Sequence, residues 1–195
     1  MVAELKTTLF LMFSLAVFSM AGDAGNALAE SPSQDVSKSV TIPLPSSIAD
    51  SLPWFAVREL DNLASPFTRG HLAKFAQDAN RVALVYFATW CLPCRAGVKK
   101  LSENSASLEE NKVKVVLVNI GERDENSIRE WLKKIGAEKF KVVGDPFHRL
   151  TEGFGLVNEG EEMSLPRTIV LDNSLKPLFM VEKEGTDWPY MLWQK

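Results

Sequence analysis

The chain has 195 residues, 46% of them hydrophobic and 24% charged, with a formal net charge of −3. That is the composition of a folded globular protein; it excludes a wholly disordered chain, a low-complexity or collagen-like one, and a strongly basic nucleic-acid binder. With only 2 Cys and 2 His, a disulfide-dense scaffold and an all-cysteine zinc or iron–sulfur site within one chain are excluded as well.

At the N-terminus, Lys6 and the free amine precede an apolar run from Thr8 to Ala21. The run has the length of a signal-peptide core and is shorter than the about 20 apolar residues that a spanning helix needs. Ala27-x-Ala29 places small side chains at the spacing a signal peptidase accepts. Residues 1–29 are therefore expected to be a signal peptide cleaved after Ala29. Ser19-Met20-Ala21 is a weaker cleavage site, and an uncleaved N-terminal membrane anchor is the alternative. Both readings export the rest of the chain to the periplasm or cell envelope, where disulfides persist. Residues 30–51, rich in Ser and Pro at their start, read as a flexible leader, and the packed domain is expected over residues 52–195.

Within that domain, Phe55–Leu60 reads as an edge strand stopped by Asp61-Asn62, and His71–Asp78 as a short helix. Val82–Phe87 is a continuous apolar run, as in a strand buried on both faces. Trp90–Glu110 reads as helix, with Val98, Leu101 and Leu108 near helical spacing, and Val113–Ile120 as a second buried strand. Asp124–Ile135 carries Ile128, Trp131, Leu132 and Ile135 at i, i+3, i+4 and i+7, closed by Gly136. Phe140–Val143 predicts a short strand, and Phe147, Leu150 and Phe154 a helical turn or two. Thr168–Leu171 and Pro177–Val181 flank Asp172-Asn173-Ser174 as a β-hairpin, and Trp188 and Trp193 mark the start of a C-terminal helix. The pattern is α/β: a mixed central sheet, parallel in the middle and antiparallel at one side, flanked by helices.

The chemistry is concentrated in Trp90-Cys91-Leu92-Pro93-Cys94-Arg95, where a buried strand gives way to a helix. Unpaired amides at a helix N-terminus stabilise a thiolate and lower its pKa. The thiolate is the nucleophile of disulfide exchange. Two intervening residues let Cys94 lie one turn deeper, and Pro93 is tolerated in the first turn. Half of a zinc site is a competing reading, but His71 and His148 show no ligand spacing. A purely structural disulfide is another, although so small a loop gains little entropy.

The segment Ala88-Thr89-Trp90-Cys91-Leu92-Pro93-Cys94-Arg95 resembles the active-site block of thioredoxin-fold proteins, in the form found in exported TlpA/ResA/CcmG-like thiol–disulfide oxidoreductases. Leu165-Pro166-Arg167-Thr168-Ile169-Val170-Leu171-Asp172 resembles that family's cis-proline loop and its following strand, and Ser127–Phe140 fits the extra helix and strand of TlpA-like members. The resemblance covers roughly residues 55 to 185. It implies a thioredoxin-like three-layer sandwich with a TlpA-type insertion. It implies Cys91 as attacking thiol, Cys94 as resolving thiol and Pro166 as catalytic neighbour, with Trp90, Leu92, Pro93 and Leu165 in contact with substrate. Trp90 is expected to shield the sulfur, with Cys91 exposed and Cys94 buried. No bound cofactor or metal is needed. The implied partners are protein thiols and disulfides, with electrons from a membrane-embedded thiol donor and cytochrome c maturation as one possible task. The protein is expected to act as a monomer, without nucleic acid.

Three positions depart from the family pattern. Val85 stands where plain thioredoxins have a buried Asp, Gly97 where many TlpA-like proteins have a Glu, and Lys99 where many have a Pro. The carboxylate that would exchange a proton with Cys94 is therefore expected to be missing, and Lys99 and Lys100 read as a solvated helix face. Two other functions compete. A peroxiredoxin-like peroxidase would want a Thr or Ser shortly before its cysteine and an Arg on a distant strand. A copper-binding, metal-delivery module would use Cys91, Cys94 and His148, since soft thiolates suit Cu(I).

Overall fold

The computed structural model describes residues 38–62, 64–157 and 161–194; the expected signal peptide, both cleavage sites and the first part of the leader lie outside them. In chain order the elements are β1 (Val40–Ile42), β2 (Ala56–Glu59), β3 (Pro66–Thr68), α1 (Arg69–Ala76), β4 (Arg81–Phe87), α2 (Leu92–Glu103), α3 (Ser105–Glu110), β5 (Val113–Ile120), α4 (Glu125–Lys134), β6 (Lys141–Asp145), α5 (Arg149–Gly153), β7 (Arg167–Asp172) and β8 (Pro177–Lys183). A single 3-10 turn, Tyr190–Leu192, follows.

The strands form one 8-stranded sheet in the order β1-β8-β7-β4-β5-β6-β2-β3. β4, β5 and β6 are parallel, while β7 lies antiparallel to β4 and β8 to β7. Side chains alternate across a strand, and β4 shows the consequence directly. Val82, Leu84 and Tyr86 enter one hydrophobic cluster, with Leu72 and Ala76 of α1 and Leu150 of α5. Ala83, Val85 and Phe87 enter the other, with Val98 and Leu101 of α2 and Ile128, Trp131 and Leu132 of α4. Helices on both faces of a buried sheet make the expected three-layer sandwich.

The caps explain where the helices begin and stop. Asp124 accepts hydrogen bonds from the Asn126 and Ser127 amides at 3.1 and 3.3 Å at the start of α4. Gly136, with φ +69°, lets the chain leave that helix. His71 lies in the cap of α1, where its Nδ1 accepts from the Thr68 amide at 3.2 Å.

Several expectations need correction. Part of the predicted leader belongs to the packed body: β1 pairs with β8, and Ile48 is fully buried. The strand in Phe55–Leu60 is not an edge, because β2 pairs with both β6 and β3. The single helix over Trp90–Glu110 is two helices, separated at Asn104, whose side chain donates to the Lys100 carbonyl at 2.8 Å. The insertion's helix is present as α4, but the strand expected inside Ser127–Phe140 begins only at Lys141. The C-terminal helix is reduced to the 3-10 turn, beside a second cis peptide at Trp188–Pro189.

Candidate functional site

The site grows from the end of β4. After Phe87 the chain turns, and the Cys91 amide donates to the Ala88 carbonyl at 3.1 Å. Cys91 is the N-cap of α2, and its Sγ accepts the Cys94 N–H at 3.2 Å. An amide donor from the helix terminus is thus aimed at the first sulfur, as the strand-to-helix context predicts. Pro93 sits in the first turn of α2. Cys91 and Cys94 are joined in a disulfide.

Of the two, Cys91 is 5% exposed and Cys94 1%. Cys94 is buried as expected, whereas Cys91, expected to be exposed, is itself buried in this oxidised form. Trp90 and Leu92, on either side of it, are 68% and 74% exposed. Trp90 therefore offers a largely open apolar surface next to the buried disulfide. Glu122 buttresses the turn. Its carboxylate accepts the Thr89 amide at 2.8 Å, the Thr89 hydroxyl, and the Asn119 side-chain amide at 2.5 Å.

The Leu165–Pro166 peptide is cis, as the resemblance implied. The β4–β7 register pairs Tyr86 with Arg167, so Pro166 falls level with Phe87, where β4 runs out toward Cys91. Leu165 packs against the cluster containing both cysteines. A groove of about 480 Å³ runs along this edge, lined by Pro93 and Gly97 of α2, by Leu165 and Pro166, and by Glu184 and Trp188 beyond β8.

The carboxylate expected to be missing comes from elsewhere in the chain. A Cβ built on Gly97 would fall on Oε2 of Glu184, 2.6 Å from its Cδ and 3.0 Å from its Oε1. Glu184 therefore occupies the space that a side chain at position 97 would take, and the expectation of a site without an acid is overturned. Burial holds its carboxyl up at about 8, opposed by the charge of Lys100. Lys100 is likewise more than a solvated face: its Nζ donates to the Gly185 carbonyl at 3.4 Å. Lys99 does face solvent, paired with Glu103 at 3.5 Å. Val85 is buried and apolar, as read.

No periodicity or motif marks Glu184 or Glu122; each becomes visible only when distant segments meet. His148 is half-buried and in the left-handed region at φ 58°. Its neighbour Asp145 is committed to the Leu150 and Thr151 amides and the Thr151 hydroxyl. Among the described residues no three His, Cys, Asp or Glu side chains are grouped to hold a metal, so the copper reading's set of Cys91, Cys94 and His148 is not assembled.

The AhpC/TSA family matches residues 48–176. The chain belongs to that family. Its fold is shared with solved structures of low identity. A secreted thiol-disulfide isomerase from Corynebacterium glutamicum aligns at 18% identity and TM-score 0.61 over 84% of this chain and 92% of that one. A DsbF homologue from Corynebacterium diphtheriae aligns at 22% identity and TM-score 0.59, over 83% and 92%. A yeast mitochondrial 1-Cys peroxiredoxin aligns at 15% and TM-score 0.59, over 77% and 73%. In this AhpC/TSA protein a Thr before the cysteine and an Arg on another strand, the residue types a peroxide site would want, already have partners, with Arg167 Nε left unpaired among the described residues. The Thr89 hydroxyl is held by Glu122, and Arg167 by Glu182 at 2.8 Å and by the Leu156 carbonyl at 3.4 Å.

Proposed function

We propose that the protein is a thiol–disulfide oxidoreductase that reduces disulfides of protein partners outside the cytoplasm. The observation that carries this reading is the Cys91–Cys94 pair at the head of α2, with the first sulfur accepting the Cys94 amide. In the reduced protein that donor and the helix terminus stabilise a Cys91 thiolate. The thiolate attacks one sulfur of a partner disulfide, forming a mixed disulfide and releasing one partner thiolate. Cys94 gives up its proton and attacks Cys91 Sγ. The mixed disulfide breaks, the second partner thiolate leaves, and two electrons have passed to the partner.

The exposed Trp90 and Leu92 and the groove beside Pro93, Leu165 and Pro166 provide the docking surface. An extended partner segment would lie along the Pro166 loop by strand addition. Export through residues 1–29, a periplasmic or envelope location, a membrane-embedded thiol donor, a monomeric state and a task in cytochrome c maturation complete the proposal. They are supported by the N-terminal sequence pattern and the TlpA/ResA/CcmG-like resemblance.

The test is insulin reduction with dithiothreitol as electron source. The full chain is expected to accelerate precipitation of the insulin B chain well above the dithiothreitol background. A rate equal to that background would reject the activity.

A further inference from the structure

We propose that Glu184 is the proton partner of Cys94, donating to its sulfur when the Cys91–Cys94 disulfide opens and accepting from it when the disulfide closes. The proposal rests on the oxidoreductase reading and adds a residue from outside the active-site helix.

Position is the first argument. Gly97 follows Cys94 by one turn of α2, and residues at i and i+3 have Cβ atoms about 5–6 Å apart on one helix face. Because the Glu184 carboxylate stands where a Gly97 Cβ would be, it lies one helix turn from Cys94, on the side of α2 that Cys94 shares. Availability is the second. Oε1 is sealed from solvent and has no hydrogen-bond partner among the described residues. Buried polar atoms are almost always satisfied, and one that is not calls for an explanation, of which a catalytic role is one.

The third argument is anchoring. The Gly185 amide donates to Ser39 Oγ at 2.8 Å, and the Ser39 amide donates to Asp187 at 2.6 Å. A Cβ on Gly185 would overlap the backbone of Lys38 and Ser39, so β1's leading segment clamps the corner that carries Glu184. Trp188 closes it from the other side, its Nε1 donating to the Gly97 carbonyl at 3.3 Å. The charged groups around Glu184 are Lys100 on α2, Glu182 and Lys183 on β8, and Lys38 and Asp187 at the corner. Glu182 is paired with Arg167. The Ser164–Pro166 loop brings no ionisable side chain.

The step balances without a further reagent. An incoming thiolate bonds to Cys91 Sγ, the Cys91–Cys94 bond breaks, and its electron pair leaves on Cys94 Sγ. That sulfur takes the Glu184 proton, giving a Cys94 thiol and a Glu184 carboxylate. Closure runs the same transfer backward.

The experiment is reduction of the oxidised full chain by dithiothreitol from pH 5 to pH 10, with rates divided by the dithiothreitol thiolate concentration. The wild-type rate should be level in acid and fall as pH rises through about 8, where Glu184 loses its proton. Glu184→Gln should be slower by about a hundredfold on the acid plateau, the lower end of what a positioned acid contributes, and should lack the inflection. Glu184→Asp should regain an inflection. An E184Q protein that matches wild type, or is slower with the same inflection, overturns the proposal while leaving the oxidoreductase reading intact. Failure of wild type to reduce insulin overturns both. Should E184Q not fold, infrared spectra of oxidised wild type decide: a carboxyl band persisting at pH 7 supports the proposal, and its absence overturns it.

Discussion

Cys91→Ser is expected to abolish disulfide interchange, with turnover falling by at least ~10³-fold, the scale on which loss of a nucleophile acts. A serine hydroxyl at the head of α2 receives the same Cys94 amide, but it does not ionise near neutral pH and cannot bond reversibly to a disulfide sulfur. Cys94→Ser removes only the second step. Attack by Cys91 survives, the mixed disulfide has no internal sulfur to break it, and the partner stays attached until an external thiol arrives. Mass spectrometry under non-reducing conditions should therefore show Cys94→Ser carrying partner and Cys91→Ser carrying none. If Cys91→Ser accumulates the adduct instead, the two roles are reversed.

Trp188→Ala should lower stability by about 3–5 kcal/mol, as truncation of a buried tryptophan does. Against total stabilities of about 5–15 kcal/mol, that is a large share. Trp188 is 1% exposed, packs in the same cluster as Cys91, Cys94, Val98 and Leu101, and bonds the Gly97 carbonyl at 3.3 Å. The substitution would leave a void against α2, remove the side-chain donor to the Gly97 carbonyl, and free the corner that holds Glu184. Trp188→Phe keeps most of the volume and should cost about 0.5–1.5 kcal/mol for the lost hydrogen bond. Urea unfolding of both variants measures this. An alanine variant within about 0.5 kcal/mol of wild type would mean that the C-terminal segment does not support the active-site helix.

The fold's centre was legible because its signals are local. β4 and β5 are unbroken apolar runs, α4 repeats at helical spacing, and Cys91-x-x-Cys94 lies where strand passes to helix. β1 and β3 have three residues each, too few to display a period, so they vanish into loop-like sequence. β2 was recognisable as a strand but not as an interior one, because its place depends on β3 covering it. The largest misreading concerned Gly97. From sequence alone, a glycine where relatives carry an acid reads as a lost function. In the structure that glycine leaves space, and the acid that fills it is Glu184, which no local pattern links to α2. Glu122 escaped notice for the same reason, since its contact with Thr89 depends on β4 and β5 ending side by side.

The most direct test of disulfide exchange as the chemistry of this site offers the reduced full chain two oxidants in parallel. One is a peptide containing a disulfide and the other is hydrogen peroxide at the same concentration, with products followed by mass. The chain should react faster with the peptide, pass through a Cys91 mixed disulfide, and end with Cys91–Cys94 joined and one peptide disulfide opened per chain. Faster reaction with peroxide, with the peptide left oxidised, would contradict this and identify a peroxidase.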